Sequence, residues 1–262
     1  MNYRGTIAYR SNLGSQIPEG FLHSVVNAWD FLRRQAEHDE ASLEGSKTLP
    51  VNFHFMRGLS CMVDESANQI AETFLGDWVL MLDTDHIFGA DAFYEMVTIF
   101  DEHHLDILVG FTQKRAAPYH PVIYRTDFDA FKDFETIFPN PIERQTLIPI
   151  DSSGCACLMV RRNVFDVIKK SGERPFDRRL KFNAPNMMVD GVPMYLNSIV
   201  YKDLPKDRYF YESFAEDSSF FWRAKLLGFK AWCAPWVKFH HLETRIVTES
   251  MIIPPLPREI PT

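Results

Sequence analysis

The sequence predicts an α/β protein built on a largely parallel sheet. Three observations point there. Short apolar runs of strand character alternate with amphipathic helical stretches along most of the chain. No internal repeat interrupts that alternation. The 262 residues, 46% hydrophobic and 14% aromatic, suffice for a sizeable packed core.

Taken in order, Thr6–Tyr9 reads as a first strand. From Phe21 to Ala36, Leu22, Val25, Val26, Trp29 and Leu32 fall at helical spacing. Residues 37–47 are polar and contain Gly and Ser, as in a loop or a frayed helix extension. Val51–Met56 is the second strand, Glu65–Leu75 a helix, and Trp78–Leu82 a third strand. Phe93, Met96, Val97 and Phe100 mark a helix over Ala92–Phe100, and Asp106–Phe111 returns to strand. From Ala116 to Pro149 prolines and aromatics recur without a period, which suggests long loops over the sheet. Ser152–Val160 reads as one strand, with Cys155 and Cys157 on one face, followed by a helix from Arg162 to Lys170. Residues 171–213 give an irregular, substrate-facing insertion. Glu216–Leu227 is a helix with Gly228 at its cap, and Lys230–Cys233 and Val237–His241 are short strands. The proline-rich tail, residues 251–262, is expected to be extended.

The net charge of −7 argues against nonspecific nucleic-acid binding. The four cysteines show neither CxxC pairing nor small-scaffold spacing, so they read as reduced thiols in a cytosolic setting. No apolar run approaches the roughly 18 residues of a membrane span, and no signal-peptide pattern opens the chain. Membrane contact is therefore expected to be peripheral.

Three places carry candidate chemistry. The core strand before Asp83-Thr84-Asp85 ends in two carboxylates, which repel unless something positive lies between them. If the segment stays extended, positions i and i+2 point the same way and both acids can face one ion. Oxygen ligands suit Mg²⁺ or Mn²⁺, although such a pair equally caps a turn. Glu216-Asp217 opens a helix, where an acid either caps backbone N–H groups or is held as a base. In Val237-Lys238-Phe239-His240-His241, alternation puts His241 on the apolar face and His240 with the lysine. An inward His is either a hydrogen-bonded core residue or a nitrogen ligand that shifts the metal choice toward Mn²⁺.

The order of these pieces resembles that of GT-A glycosyltransferases, in particular a family-2-like branch of bacterial and phage type. Acid-x-acid follows a core strand, a Gly/Cys strand feeds Val-Arg-Arg-x-Val-Phe, Glu-Asp opens an aromatic helix ending in Leu-Gly-Phe-Lys, and a last strand carries His. Leu105–Lys114 also resembles the strand that follows the metal motif in that branch. The resemblance implies a Rossmann-like GT-A domain over residues 1–250, with a donor half of about 1–115 and an acceptor half of about 116–250 with irregular insertions. It implies Asp83 at the donor ribose or the metal, Asp85 as metal ligand, His241 completing the metal site, Asp217 as base and Glu216 beside it. Arg57 is implied near the donor nucleotide, although Gly58 stands where the family usually has Asn. Tyr9, Arg10 and Ser11 fall where the family holds nucleobase and diphosphate.

The activity so implied is Mn²⁺- or Mg²⁺-dependent transfer of a sugar from a nucleotide-diphosphate donor, UDP-sugar first, to an acceptor hydroxyl with inversion. Two alternatives remain: a sugar-nucleotide nucleotidyltransferase and a non-catalytic carbohydrate-binding protein on the same scaffold. Residues 161–181 are locally basic, which fits either a solvated surface or an anionic acceptor such as a lipid-linked glycan or modified nucleic acid.

Overall fold

A computed structural model of the chain describes residues 5–10, 16–42, 51–53, 63–126, 134–139, 145–182, 188–189, 192–193 and 211–242. Its first half runs β1 (Gly5–Arg10), α1 (Glu19–Ser42), β2 (Val51–Phe53), α2 (Val63–Thr73), β3 (Trp78–Asp83), β4 (His86–Phe88), α3 (Ala92–Glu102) and β5 (Ile107–Phe111). The second half adds β6 (Ile123–Arg125), β7 (Glu135–Thr136), β8 (Ile148–Ile150), β9 (Ser152–Ser153), β10 (Cys157–Arg161) and α4 (Arg162–Lys170). Then follow β11 (Arg179–Phe182), β12 (Met188–Val189), β13 (Val192–Pro193), β14 (Tyr211–Phe214), α5 (Glu216–Leu226) and β15 (Ala231–His241).

The main sheet has the order β2-β1-β3-β10-β5-β15-β4, with β8 also on β15. Strands β2, β1, β3, β5 and β15 run one way, while β10, β4 and β8 run against them. The sheet is thus mixed and mostly parallel, as the strand–helix alternation predicts.

Both faces of the sheet are covered, which is why its strands are apolar on both sides rather than alternating. On one face Ile7, Leu80, Leu82, Leu108 and Met159 pack with α1 (Phe21, Val25, Ala28) and α3 (Phe93, Met96, Phe100). On the other, Ala8, Val79, Met81, Val109 and Leu158 pack with α2 (Ile70), α4 (Val164, Phe165, Ile168) and α5 (Phe220, Phe221, Ala224). Phe220 is fully buried and stacks on Phe176 with ring centroids 4.9 Å apart. Truncating such a ring to Ala costs about 3–5 kcal/mol. Gly110 leaves no room for a side chain, since a Cβ there would lie 2.6 Å from the Phe239 ring.

Helix α5 ends as its sequence predicts. Gly228 has φ +87°, its N–H reaches the Lys225 carbonyl at 3.0 Å, and the Phe229 N–H reaches the Ala224 carbonyl at 3.0 Å. This is the double bond of a Schellman cap, which needs a left-handed residue at Gly228.

Several elements differ from expectation. Helix α1 continues to Ser42, the helix extension of the two alternatives for residues 37–47. The strand expected over Ser152–Val160 is two, β9 and β10, broken by a turn at Cys155-Ala156. Cys155 and Cys157 accordingly enter the clusters on opposite faces of the sheet, not one face. Cys155, Cys157 and Cys233 are all buried free thiols. The two short C-terminal strands are one, β15, with an irregularity between Ala234 and Lys238. The 171–213 stretch, expected without regular elements, contributes the small ladders β11–β14 and β12–β13. Residues 54–56 of the expected second strand and the 251–262 tail lie outside the described residues. Among the described residues no helix is long and apolar enough to cross a membrane.

Candidate active site and metal centre

The strand directions bring the candidate residues to one edge of the sheet. Arg10 ends β1, Asp83 ends β3, His241 ends β15, and the antiparallel β10 begins at that edge with Gly154-Cys155-Ala156 just before it. Asp83 N–H donates to the Ala156 carbonyl at 3.0 Å, closing β3 against that turn. In α/β sheets ligands bind beyond the carboxyl ends of the parallel strands, where loops and helix starts converge.

The acidic triplet does not stay extended. Thr84 and Asp85 form a turn, and the chain reverses at once into β4. The two carboxylates therefore separate rather than share an ion. Asp83 is gripped by Arg10, Nε to Oδ1 at 2.7 Å and Nη2 to Oδ2 at 2.9 Å. Arg10 is only 7% exposed. Burial opposes its charge, but Asp83 and Glu216 more than offset it, so its pKa is raised. A bidentate pair of this kind is among the stronger charge-assisted contacts. Asp85 takes a different partner: its Oδ2 pairs with Nη2 of Arg115, from the loop after β5. Each carboxylate thus has its own cation.

Strand β4 pairs with β15 so that His86 lies opposite His241. Their ring centroids are 4.1 Å apart. Asp85, His86 and His241 each offer a ligand atom, and those atoms lie within 4.8 Å of one another. Asp85 Oδ1 and His86 Nδ1 are 2.8 Å apart, yet neither these atoms nor His86 Nε2 and His241 Nδ1 has an aligned hydrogen-bond partner. Buried polar atoms left this way are uncommon and call for an explanation. Burial lowers His86 to about 4. Burial and then neighbouring His86 and Arg115 lower His241 to about 3. Both rings are therefore neutral near pH 7, the form that ligates a metal. One carboxylate oxygen and two imidazole nitrogens fit a divalent ion.

Across the same edge, α5 begins at Glu216 with Ala215 as its N-cap residue and no side-chain cap bond. Glu216 lies between two guanidinium groups, 3.9 Å from Arg10 Nη1 and 3.4 Å from Arg178 Nη2. Asp217 Oδ1 accepts the Ser218 N–H at 2.6 Å. Its Oδ2 lies beside Gly154, 3.8 Å from where a Cβ would stand. Burial, and next the charge of Glu216, raise Asp217 to about 6. Tyr124 is pushed up to about 12, mainly by burial and further by Asp217.

The structure brings Asp85 and His241 together and leaves Asp83 with Arg10, outside that group. Arg10, Asp83, Glu216 and Asp217 form a neighbouring charged set, coupled through Arg10. Tyr9, expected at the nucleobase, is 5% exposed and packs on Phe21 with centroids 5.9 Å apart. Ser11 and Arg57 lie outside the described residues. Two residues of the site escaped the sequence reading. His86 had a usable signal, since it follows the acidic triplet and His86-x-Phe88 mirrors Phe239-x-His241 in period. Arg115, in an aperiodic loop, had none.

No protein-family model and no curated protein matches the sequence. Among solved structures, the chain aligns with A197 from STIV at a TM-score of 0.45 and 13% identity, over 92% of this chain and 86% of that one. It aligns with S. aureus TarS 1–349 at a TM-score of 0.38 and 11% identity, over 90% of this chain and 60% of that one. For 4-diphosphocytidyl-2C-methyl-D-erythritol synthase from Anaerococcus prevotii DSM 20548 the TM-score is 0.33 and the identity 10%, over 64% of this chain and 75% of that one. At these scores and identities none of the three assigns a function to this chain.

Proposed function

We propose that the protein is a metal-dependent glycosyltransferase of GT-A type that moves a sugar from a nucleotide-diphosphate donor to an acceptor hydroxyl with inversion. The observation that carries this reading is the group of unsatisfied ligand atoms on Asp85, His86 and His241 at the carboxyl edge of the sheet. It gains support from a carboxylate with a raised pKa near the same edge.

In this reading Asp85, His86 and His241 hold the cation. Two imidazoles favour Mn²⁺ over Mg²⁺. A divalent ion there supplies charge against that developing on a departing diphosphate. Asp83, fixed by Arg10, presents its remaining lone pairs to donor hydroxyls. Asp217 is a carboxylate at neutral pH and accepts the proton of the attacking hydroxyl. Its partial burial and its place at a helix start hold it in position. Glu216, fixed between Arg10 and Arg178, orients the acceptor. A UDP-sugar is the donor of first choice, and the acceptor is a glycan or another hydroxyl-bearing molecule.

Calorimetric titration of UDP with and without Mn²⁺ tests the reading. The parent is expected to bind UDP only with the metal and to release UDP from a UDP-sugar. Asp85→Ala is expected to lose both while its melting temperature is kept. UDP binding by the parent that is indifferent to chelator rejects the metal site. Pyrophosphate release from a nucleoside triphosphate and a sugar phosphate instead indicates a nucleotidyltransferase. Sugar binding without turnover of either substrate indicates a carbohydrate-binding protein.

A further inference from the structure

Asp85 already has a cation. Its Oδ2 is paired with Arg115, while its Oδ1 turns toward the two imidazoles without an aligned hydrogen bond. Among the described residues three arginines hold carboxylates at this edge, and they differ in exposure. Arg10 is 7% exposed and doubly bonded to Asp83, and Arg178 is 39% exposed, whereas Arg115 is 60% exposed. The backbone around Arg115 is fixed. Gln113 bridges to Pro121, the Lys114 N–H reaches the His120 carbonyl at 2.9 Å, and the Tyr119 N–H reaches the Ala116 carbonyl at 2.9 Å. The side chain itself is mostly exposed, so solvent leaves it room to move.

We propose that Arg115 is an exchangeable counter-ion, which neutralises Asp85 in the ligand-free protein and passes to the donor's diphosphate when a divalent cation takes Asp85. The proposal rests on the metal-site reading above. Without a cation, Asp85 would be a half-buried carboxylate beside the His86 and His241 rings, a costly arrangement that the guanidinium relieves. A divalent ion held by the same carboxylate would repel that guanidinium. Once the divalent ion's charge stands at Asp85, the carboxylate stays compensated when the mostly exposed Arg115 leaves. The guanidinium fork matches phosphate oxygens, and a metal-bound diphosphate would lie beside the loop that carries it. Arg115 thus opposes the metal alone and favours the metal with diphosphate, so its removal has effects of opposite sign.

The test is calorimetric titration of the full chain and its Arg115→Ala variant with Mn²⁺, and of both with inorganic pyrophosphate at saturating Mn²⁺. Melting curves establish that the variant is folded. Arg115→Ala is expected to bind Mn²⁺ alone about fivefold or more tightly, and pyrophosphate with Mn²⁺ about fivefold or more weakly, the ordinary scale of coupling between sites. Arg115→Lys, which keeps the charge but not the fork, is expected to restore Mn²⁺ affinity to the parental value while pyrophosphate binding stays weakened. Unchanged affinities in Arg115→Ala, with Asp85→Ala still abolishing Mn²⁺ binding, overturn the exchange and leave the metal site standing. Weakening of both ligands in Arg115→Ala also overturns it. Failure of the parent to bind Mn²⁺ at all overturns both.

Discussion

The two ends of strand β10 use arginine in opposite ways. At its far end Arg161 donates to the Leu105 carbonyl at 2.7 Å and the Phe100 carbonyl at 3.2 Å, with its guanidinium 4.5 Å from the Phe100 ring. Arg162 donates to the Gly76 carbonyl at 2.6 Å and the Phe74 carbonyl at 2.7 Å, 4.0 Å from the Phe74 ring. Phe100 lies in the last turns of α3, while Leu105, Phe74 and Gly76 lie in the connections that follow α3 and α2, where carbonyls outside the helical ladder need donors. Arg161 adds a longer contact to a carboxylate, 3.6 Å to Asp101 Oδ1. At the near end Arg10, Arg115 and Arg178 hold carboxylates. A backbone carbonyl cannot leave the arginine it binds unless the chain that carries it moves. A side-chain carboxylate can exchange its partner for a ligand. One edge is closed by backbone acceptors, and the other by side-chain ion pairs. The locally basic 161–181 stretch also changes meaning, because Arg161 and Arg162 serve the backbone and Arg174 pairs with Glu65 and Glu72.

The largest expected contrast is at Asp217. Asp217→Asn is expected to lower turnover of the nucleotide-sugar donor by about 100-fold or more, the scale of a lost general base. Metal and nucleotide affinity stay at parental values. The parent's rate is expected to rise with pH through about 6 as Asp217 ionises, and the variant is expected to lose that limb. The stability sign is fixed as well. The folded value lies above the ordinary 3.8, so ionisation costs stability as pH rises between 3.8 and about 6. Asn still accepts the Ser218 N–H without that cost, so the variant is expected to melt no lower than the parent at pH 7. Near-parental turnover assigns the proton transfer elsewhere.

A smaller effect separates the histidines. His86→Ala and His241→Ala are each expected to weaken Mn²⁺ binding at least about tenfold, while His240→Ala leaves it unchanged. Calorimetry on the three variants checks this, and equal effects from His240 and His241 discard the triad. The smallest effect on the site belongs to the edge closed by backbone acceptors. Arg162→Met leaves two carbonyls without a donor and is expected to cost about 1–3 kcal/mol in denaturant unfolding. It should not alter Mn²⁺ or UDP affinity. A change in either would mean that the two edges are coupled.

The helices α2, α3, α4 and α5 and the strands β1, β3 and β5 were legible because each buries a periodic apolar pattern that a single window contains. The site was half legible. Asp85, Asp217 and His241 stood out as polar residues at the ends of apolar runs, where only a turn, a cap or a ligand accounts for them. The acid pair misled because the reading assumed an extended segment, and the chain turns at Thr84-Asp85. Strand β4 is three residues long, too short for a period to register.

By itself the sequence determined which segments are core and where each strand runs out into polar chemistry, since burial of apolar side chains is a local property of composition and period. Only the tertiary structure decided the partners. Arg10 meets Asp83 across 73 positions, and His86 meets His241 through an antiparallel pairing between a three-residue strand of the main sheet and its last. Charge and ligation act over a few ångströms in space, and which distant residues share those ångströms depends on strand order and direction. No window of sequence contains that order.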